Sequence, residues 1–501
     1  MVPPLPRRRA VALRDRGHPA RARVQEERRL SSVGVDPRAR DLRDSSRARA
    51  RELTVNDPEF IVVGAGLAGL AAARALTAAG RQALVLEARD RVGGRLLNHT
   101  WSDGHVGELG GQWIGPTQDH ALRLVRELGL ELYPSYETGT HLAYRRGRLR
   151  RFRGETFGLP PWGLLDGLVA QRRLEAMARA VPLEAPWSAP RARAWDGQTL
   201  ESWLRRHMRT RVGYEFFRAV CTAIFCAEAE DVSLLHFLFY VRSGRSLDQL
   251  LRLRGGAQES RVVGGSQRIA LALAEQLGER VITGAAVDAI EQGEDGVVAR
   301  CTGGAVHRAA RVIVTLPPPL AARIRYSPAL PGLRDQLTQK LAMGSVIKCM
   351  ARYPQPFWRD AGLSGFAISV ERPVNVIFDN SPHGGGCGVL LGFIEGREAR
   401  ALGELAPADR RALVLENFAS YFGERARAPL EYEDKDWSQD PWTRGCYGAH
   451  FAPGVWTQFG AALRRPCGRV HWAGAETAAV WSGYMDGALR SGERAAQEVL
   501  A

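Results

Sequence analysis

Between residues 60 and 87 the hydrophobic pattern changes period twice. Phe60-Ile61-Val62-Val63 is an unbroken apolar run, the pattern of a strand buried on both faces. Leu70 to Ala79 has helical composition and Gly80 stops it, after which Ala83-Leu84-Val85-Leu86 is a second buried run. Further along, strands are expected at Arg261-Val262-Val263, at Val281-Ile282 with Val297-Val298 as a small sheet, and at Arg311 to Thr315, where Pro317-Pro318-Pro319 ends the run. Residues 346–351, 366–370, 374–378 and 388–394 alternate or run apolar and predict a second sheet. The tract 133–262 is helical in composition, broken at Pro160-Pro161 and at Pro186 and Pro190. Near the end, Arg469 to Trp472 reads as a strand into a glycine turn, followed by a helix from about Gly483 to Leu500.

The turn between the first strand and helix is Gly64-Ala65-Gly66-Leu67-Ala68-Gly69, and the second strand ends in Glu87. That order is the dinucleotide fingerprint. Gly64 permits the tight turn, Gly66 lets backbone approach a pyrophosphate, and Gly69 lets helix pack closely on strand. The helix N-terminus faces the phosphates with free N–H groups, and Glu87 is placed to accept from ribose hydroxyls. Directly after it, Arg89, Gly93-Gly94 and Arg95 add donors and positive charge, which suits an extended dinucleotide such as FAD better than NAD. Gly110-Gly111, within Glu108 to Gly115, forms a stretch able to pass close to a flat ring.

Composition changes this picture little. The chain has 501 residues, room for two or three domains. Its net charge of +15 suggests nucleic acid until it is located: residues 1–56 carry +8 of it on 15 arginines, without periodicity or aromatic interleaving. That arm is expected to be disordered, and no nucleic-acid partner is expected. Only three of the 69 basic residues are lysines, so Lys348 inside an apolar strand stands out. No apolar run is long enough to span a membrane. Seven cysteines without C-x-x-C spacing suit reduced thiols in a cytoplasmic setting and predict no metal site.

The tracts VLEARDRVGGR (85–95), ELGGQWIGPTQ (108–118), GGAQESRVVGGS (255–266), GSVIKCM (344–350), RGCYGAHF (444–451) and GAETAAVWSGYMDGA (474–488) closely resemble the flavin-containing monoamine oxidases. The resemblance runs from about Phe60 to the C-terminus. It implies an α/β chain: an FAD-binding Rossmann-like domain assembled from 57–132, 263–337 and 440–501, and a sheet-and-helix substrate domain from 133–262 and 338–439. It implies oxidation of a primary or small secondary amine to an imine and aldehyde, with O2 reduced to H2O2. Cys446 matches the cysteine that forms a thioether to the FAD 8α carbon, chemistry that thiolate character assists. Tyr447 and Tyr484 match the two tyrosines that sandwich the substrate amine, and Lys348 the lysine that holds a water near flavin N5. Trp437 matches the tryptophan beside the flavin ring, while Gly474 and Glu476 lie in the C-terminal FAD-contacting tract. Trp113, Leu251, Gln258 and Val376 match cavity positions, with Trp113 replacing a tyrosine. Val376 replaces an aromatic residue, so entrance and inner cavities are expected to merge.

No carboxylate stands at these matched positions, so the resemblance favours monoamines with apolar or aromatic tails. Polyamine or diamine oxidation ranks second and L-amino-acid oxidation third. A catalytically silent flavoprotein is a further alternative, and the intact Lys348, Tyr447 and Tyr484 argue against it. The chain ends at Ala501, without the membrane-anchoring tail of the mammalian relatives, so a soluble enzyme is expected, with a homodimer among the assemblies this allows.

Overall fold

A computed structural model describes residues 57–501, so the arginine-rich arm expected over 1–56 lies outside the described residues. The described chain is mixed α/β. Strands from its beginning, middle and end meet in one five-stranded parallel sheet, ordered Val281–Ile282, Ala83–Leu86, Phe60–Val63, Arg311–Val314, Val470–Trp472. Phe60–Val63 is central and wholly buried, as its apolar run requires. The helix Leu67–Ala78 leaves it directly and packs along the last helix, Met485–Leu500. That helix ends where Gly80 adopts φ +76, with the Gly80 and Arg81 N–H groups closing on Thr77 and Leu76 carbonyls.

Two expectations need correction. Val281–Ile282 joins the parallel sheet beside Ala83–Leu86, whereas Val287–Gly293, Gly296–Cys301, Val306–Ala309 and Arg325–Ser327 make a separate four-stranded sheet. The tract 133–262 contains the helices its composition promised, yet it opens with a hairpin, Thr140–Arg145 and Arg148–Phe152. Arg148 to Arg151 are all exposed on an edge strand, so no apolar alternation marks them.

That hairpin closes one side of a seven-stranded sheet. Its order is Glu431–Asp436, Val346–Tyr353, Gly388–Glu395, Val374–Asp379, Leu363–Ser369, Thr140–Arg145, Arg148–Phe152. Every residue of Val346–Tyr353 and Gly388–Glu395 is buried, and the two pair antiparallel with Lys348 opposite Phe393 and Val346 opposite Glu395. Side chains alternate across a strand, so Lys348, Phe393 and Glu395 project from the same face. Lys348 and Glu395 therefore place two ionisable groups on one buried face of this sheet. No described helix is long and apolar enough to cross a membrane.

Candidate active site

A cavity of about 490 Å³ runs from the Gly64 turn to the face carrying Lys348, Phe393 and Glu395. At its first end the glycine turn is packed to its limit. A Cβ on Gly69 would lie 1.9 Å from the Gly64 carbonyl oxygen, and Gly64 itself holds φ +103 against Thr315. Gly66 caps the helix with no side-chain partner, and Gly94 comes so close that its Cβ would sit 3.3 Å from the Gly66 Cα. The result is an uncapped helix N-terminus opening onto a cavity lined by Gly64, Gly66, Glu87, Arg89 and Gly94. This cradle fits a pyrophosphate. Glu87 accepts from the Ala65 N–H at 2.7 Å and the Arg89 N–H at 3.0 Å, so it braces the turn while lining the cavity. Arg89 is held at 2.6 Å by Asp440, a partner the sequence did not suggest.

Two residues assigned to the cofactor do not line the cavity. Gly69 acts beneath the turn by letting the helix close on it. Glu476 instead grips Arg95 through both oxygens, at 2.7 and 3.0 Å, and Arg95 also donates to the Tyr447 carbonyl at 2.7 Å. A bidentate pair of this kind fixes the guanidinium plane, so Glu476 acts on the cavity through Arg95. Gly474 does line the cavity, with its N–H committed to Ser491 Oγ at 3.0 Å.

In the middle of the cavity the Gly110-Gly111 stretch is fixed from behind by the buried Glu108–Arg261 pair, 2.8 Å apart. Lys348 is 3% exposed. Its Nζ donates to the Gly110 carbonyl at 2.7 Å and to Gln112 Oε1, and lies 5.8 Å from the Trp113 ring and 5.6 Å from the Phe393 ring. Burial pulls the Lys348 ammonium down to about 7, only partly offset by Glu108. Trp437 Nε1 donates to the Leu109 carbonyl at 2.9 Å, which sets its ring in the same wall. Cys446 also lines the cavity, but burial pushes its thiol up to about 12 against the pull of Arg95. Desolvation of the anion outweighs that pull, so these surroundings favour the thiol form.

The far end is mostly apolar. Tyr447 packs edge-on against Phe393 (6.1 Å between ring centroids), while Tyr484 packs against Trp481 at 4.9 Å and Tyr240 at 6.0 Å. Both tyrosines line the cavity, with Trp113, Leu251, Gln258 and Val376. The matched cavity residues thus share one space. Gln258 donates to the Leu250 carbonyl at 3.0 Å, which leaves its buried Oε1 without a partner. Sequence reading missed Glu395. This buried carboxylate accepts from the Tyr447 hydroxyl at 3.0 Å and from Asn375 Nδ2 at 2.8 Å, and it lines the same cavity. The signal was an acid closing the run Val389-Leu390-Leu391-Gly392-Phe393-Ile394.

Known proteins resemble this chain over most of its length. The Mycobacterium tuberculosis protein AofH is 44% identical over 443 residues, covering 88% of this chain and 96% of its own. The pig flavin-containing amine oxidase B is 38% identical over 449 residues, covering 88% and 86%. Among solved structures, putrescine oxidase bound to putrescine matches with a TM-score of 0.85 at 33% identity, over 88% of this chain and 99% of that one. Cyclohexylamine oxidase from Brevibacterium oxydans IH-35A gives 0.84 at 33%, over 88% and 98%. The pattern of the flavin containing amine oxidoreductases matches residues 67–500, and the chain belongs to that family.

Proposed function

We propose that this flavin-dependent amine oxidase divides its work as the resemblance implies: segments 57–132, 263–337 and 440–501 hold FAD, and 133–262 with 338–439 build the amine cavity. The observation that carries the reading is a single space joining the glycine cradle to Lys348, Tyr447 and Tyr484. FAD, when bound there, supplies the two-electron acceptor that takes a hydride equivalent from the amine and passes electrons to O2. The chain's own residues do the rest. Gly64, Gly66 and Gly94 admit the pyrophosphate, Glu87 takes ribose hydroxyls, and Arg89 and Arg95 supply positive charge. Gly110, Gly111, Trp437 and Gly474 present backbone and ring surface to the flat end. Trp113, Leu251, Gln258 and Val376 shape the tail pocket. Tyr447 and Tyr484 orient the amine between electron-rich faces. The surrounding apolar wall favours the uncharged amine, since burying an unpaired ammonium is costly. Lys348, held by Gly110 and Gln112, places a fixed positive charge in this wall where charge develops on O2.

An L-amino-acid oxidase would need a free cation for the substrate carboxylate. Lys348 is committed to Gly110 and Gln112, and Glu395 would repel a carboxylate. Seven buried, unpaired cysteines suit a reduced, cytoplasmic setting.

The cage reading is tested by exchanging Tyr447 for Phe and Tyr484 for Ala together. Benzylamine turnover, read as kcat/KM, should fall about 100-fold, roughly tenfold per ring, with flavin content intact. Unchanged turnover would refute it. For Cys446 the reading is a thioether to the flavin. An acid precipitate of the wild type should stay yellow, and one of Cys446→Ser should release its colour; release from both would sink the covalent link.

A further inference from the structure

Glu395 is the carboxylate at the amine end of the cavity; Glu87 and Asp288 lie toward the dinucleotide end. It is 3% exposed and closes a strand whose residues are all buried. Its two hydrogen bonds engage each oxygen once, Oε1 from Tyr447 and Oε2 from Asn375. A carboxylate offers about four acceptor directions, so each oxygen keeps one free. Among the described residues no basic side chain pairs with it. Lys348, diagonal to it across the strand pair, turns its Nζ onto Gly110 and Gln112 instead. The titratable neighbours that do face it are Tyr447 and the thiol of Cys226, and neither is a cation.

An uncompensated carboxylate in such a place is costly unless its complement arrives from outside. The rest of the nearby wall, Val376, Phe378 and Phe393, offers no other charge. Burial holds the Glu395 carboxyl up to about 7 against the lowering effect of Asn375 and Tyr447, and an arriving cation would favour its ionised form. The hydrogen bond to the Tyr447 hydroxyl places this acceptor at the outer end of one of the two rings assigned to the cage, within reach of the tail of a molecule held there.

We infer that Glu395 is a second cation site within the amine cavity and selects short diamines, one amino group lying between Tyr447 and Tyr484 and the other, as ammonium, on Glu395. This rests on the amine-oxidase reading above, and it reverses the preference for purely apolar tails that the matched positions alone implied.

The test compares 1,4-diaminobutane, n-pentylamine and benzylamine by H2O2 release from the full-length holoenzyme and from Glu395→Gln and Glu395→Leu. Glutamine keeps an amide oxygen to accept from Tyr447, so it removes the charge while sparing the ring's support. The wild type should favour 1,4-diaminobutane over n-pentylamine at least about tenfold in kcat/KM, the worth of one charge-assisted hydrogen bond. In both variants that ratio should collapse toward one, through a raised KM for the diamine. A wild type that oxidises benzylamine without preferring the diamine overturns the Glu395 site alone. Equal losses on both aliphatic amines, carried in kcat, also overturn it and make Glu395 a support for Tyr447. A wild type that oxidises none of the three removes the underlying reading and the site with it.

Discussion

Replacing Lys348 by methionine is expected to slow reoxidation of the reduced flavin by O2 about 100- to 1,000-fold, while reduction by amine changes far less. The side chain is fixed by the Gly110 carbonyl and Gln112, and Gln112 is in turn held at 2.7 Å by Asn380. The ammonium is thus preorganised and dry, the condition under which one charge is worth most in a transition state. Methionine keeps the volume and removes the charge. The wild type should also show a pH signature. A lysine drawn down to about 7 is charged below that value and neutral above it. The O2 half-reaction should therefore weaken as pH rises through neutrality, whereas the amine half-reaction should strengthen as more substrate loses its proton. Stopped-flow traces of the two half-reactions check this. Parallel pH profiles, or a methionine variant slowed only in reduction, would remove Lys348 from the oxygen step.

Exchanging Gly69 for valine is expected to leave the protein nearly colourless, with flavin occupancy reduced by more than about tenfold. The Cβ alone would stand 1.9 Å from the Gly64 oxygen and 3.1 Å from Thr315 Oγ1, against backbone that has nowhere to move. The helix must then withdraw from the turn and carry its N-terminal N–H groups away from the cradle. Far-UV circular dichroism separates loss of cofactor from loss of fold. A normally yellow Gly69→Val enzyme would show that the turn does not hold the dinucleotide.

The first cradle was readable because its demands are local. Glycines at fixed spacing, a strand before and a carboxylate after leave few alternatives, and Gly64, Gly66, Glu87 and Gly94 all line the cavity. What sequence could not show were partners brought together by folding. Arg89 meets Asp440 across 351 positions and Arg95 meets Glu476 across 381. Glu476 is in the right tract but works one step back from the cavity, a distinction that depends on side-chain direction. Cys446 was legible as a position, while its elevated pKa follows from burial that no motif encodes. Glu395 was passed over for a related reason. Its meaning comes from the face that it shares with Lys348 and Phe393, and that face is set by the register of Val346–Tyr353 against Gly388–Glu395. The arginine-rich edge strand Arg148–Phe152 escaped because it is exposed and carries no alternation.

The central claim is that an amine is the electron donor at this site. Full-length holoenzyme mixed with benzylamine and, separately, 1,4-diaminobutane without oxygen should lose its yellow colour; admitting O2 should restore it with release of H2O2 and aldehyde in step. Colour that persists through both amines, in a protein whose flavin dithionite still bleaches, would contradict the account.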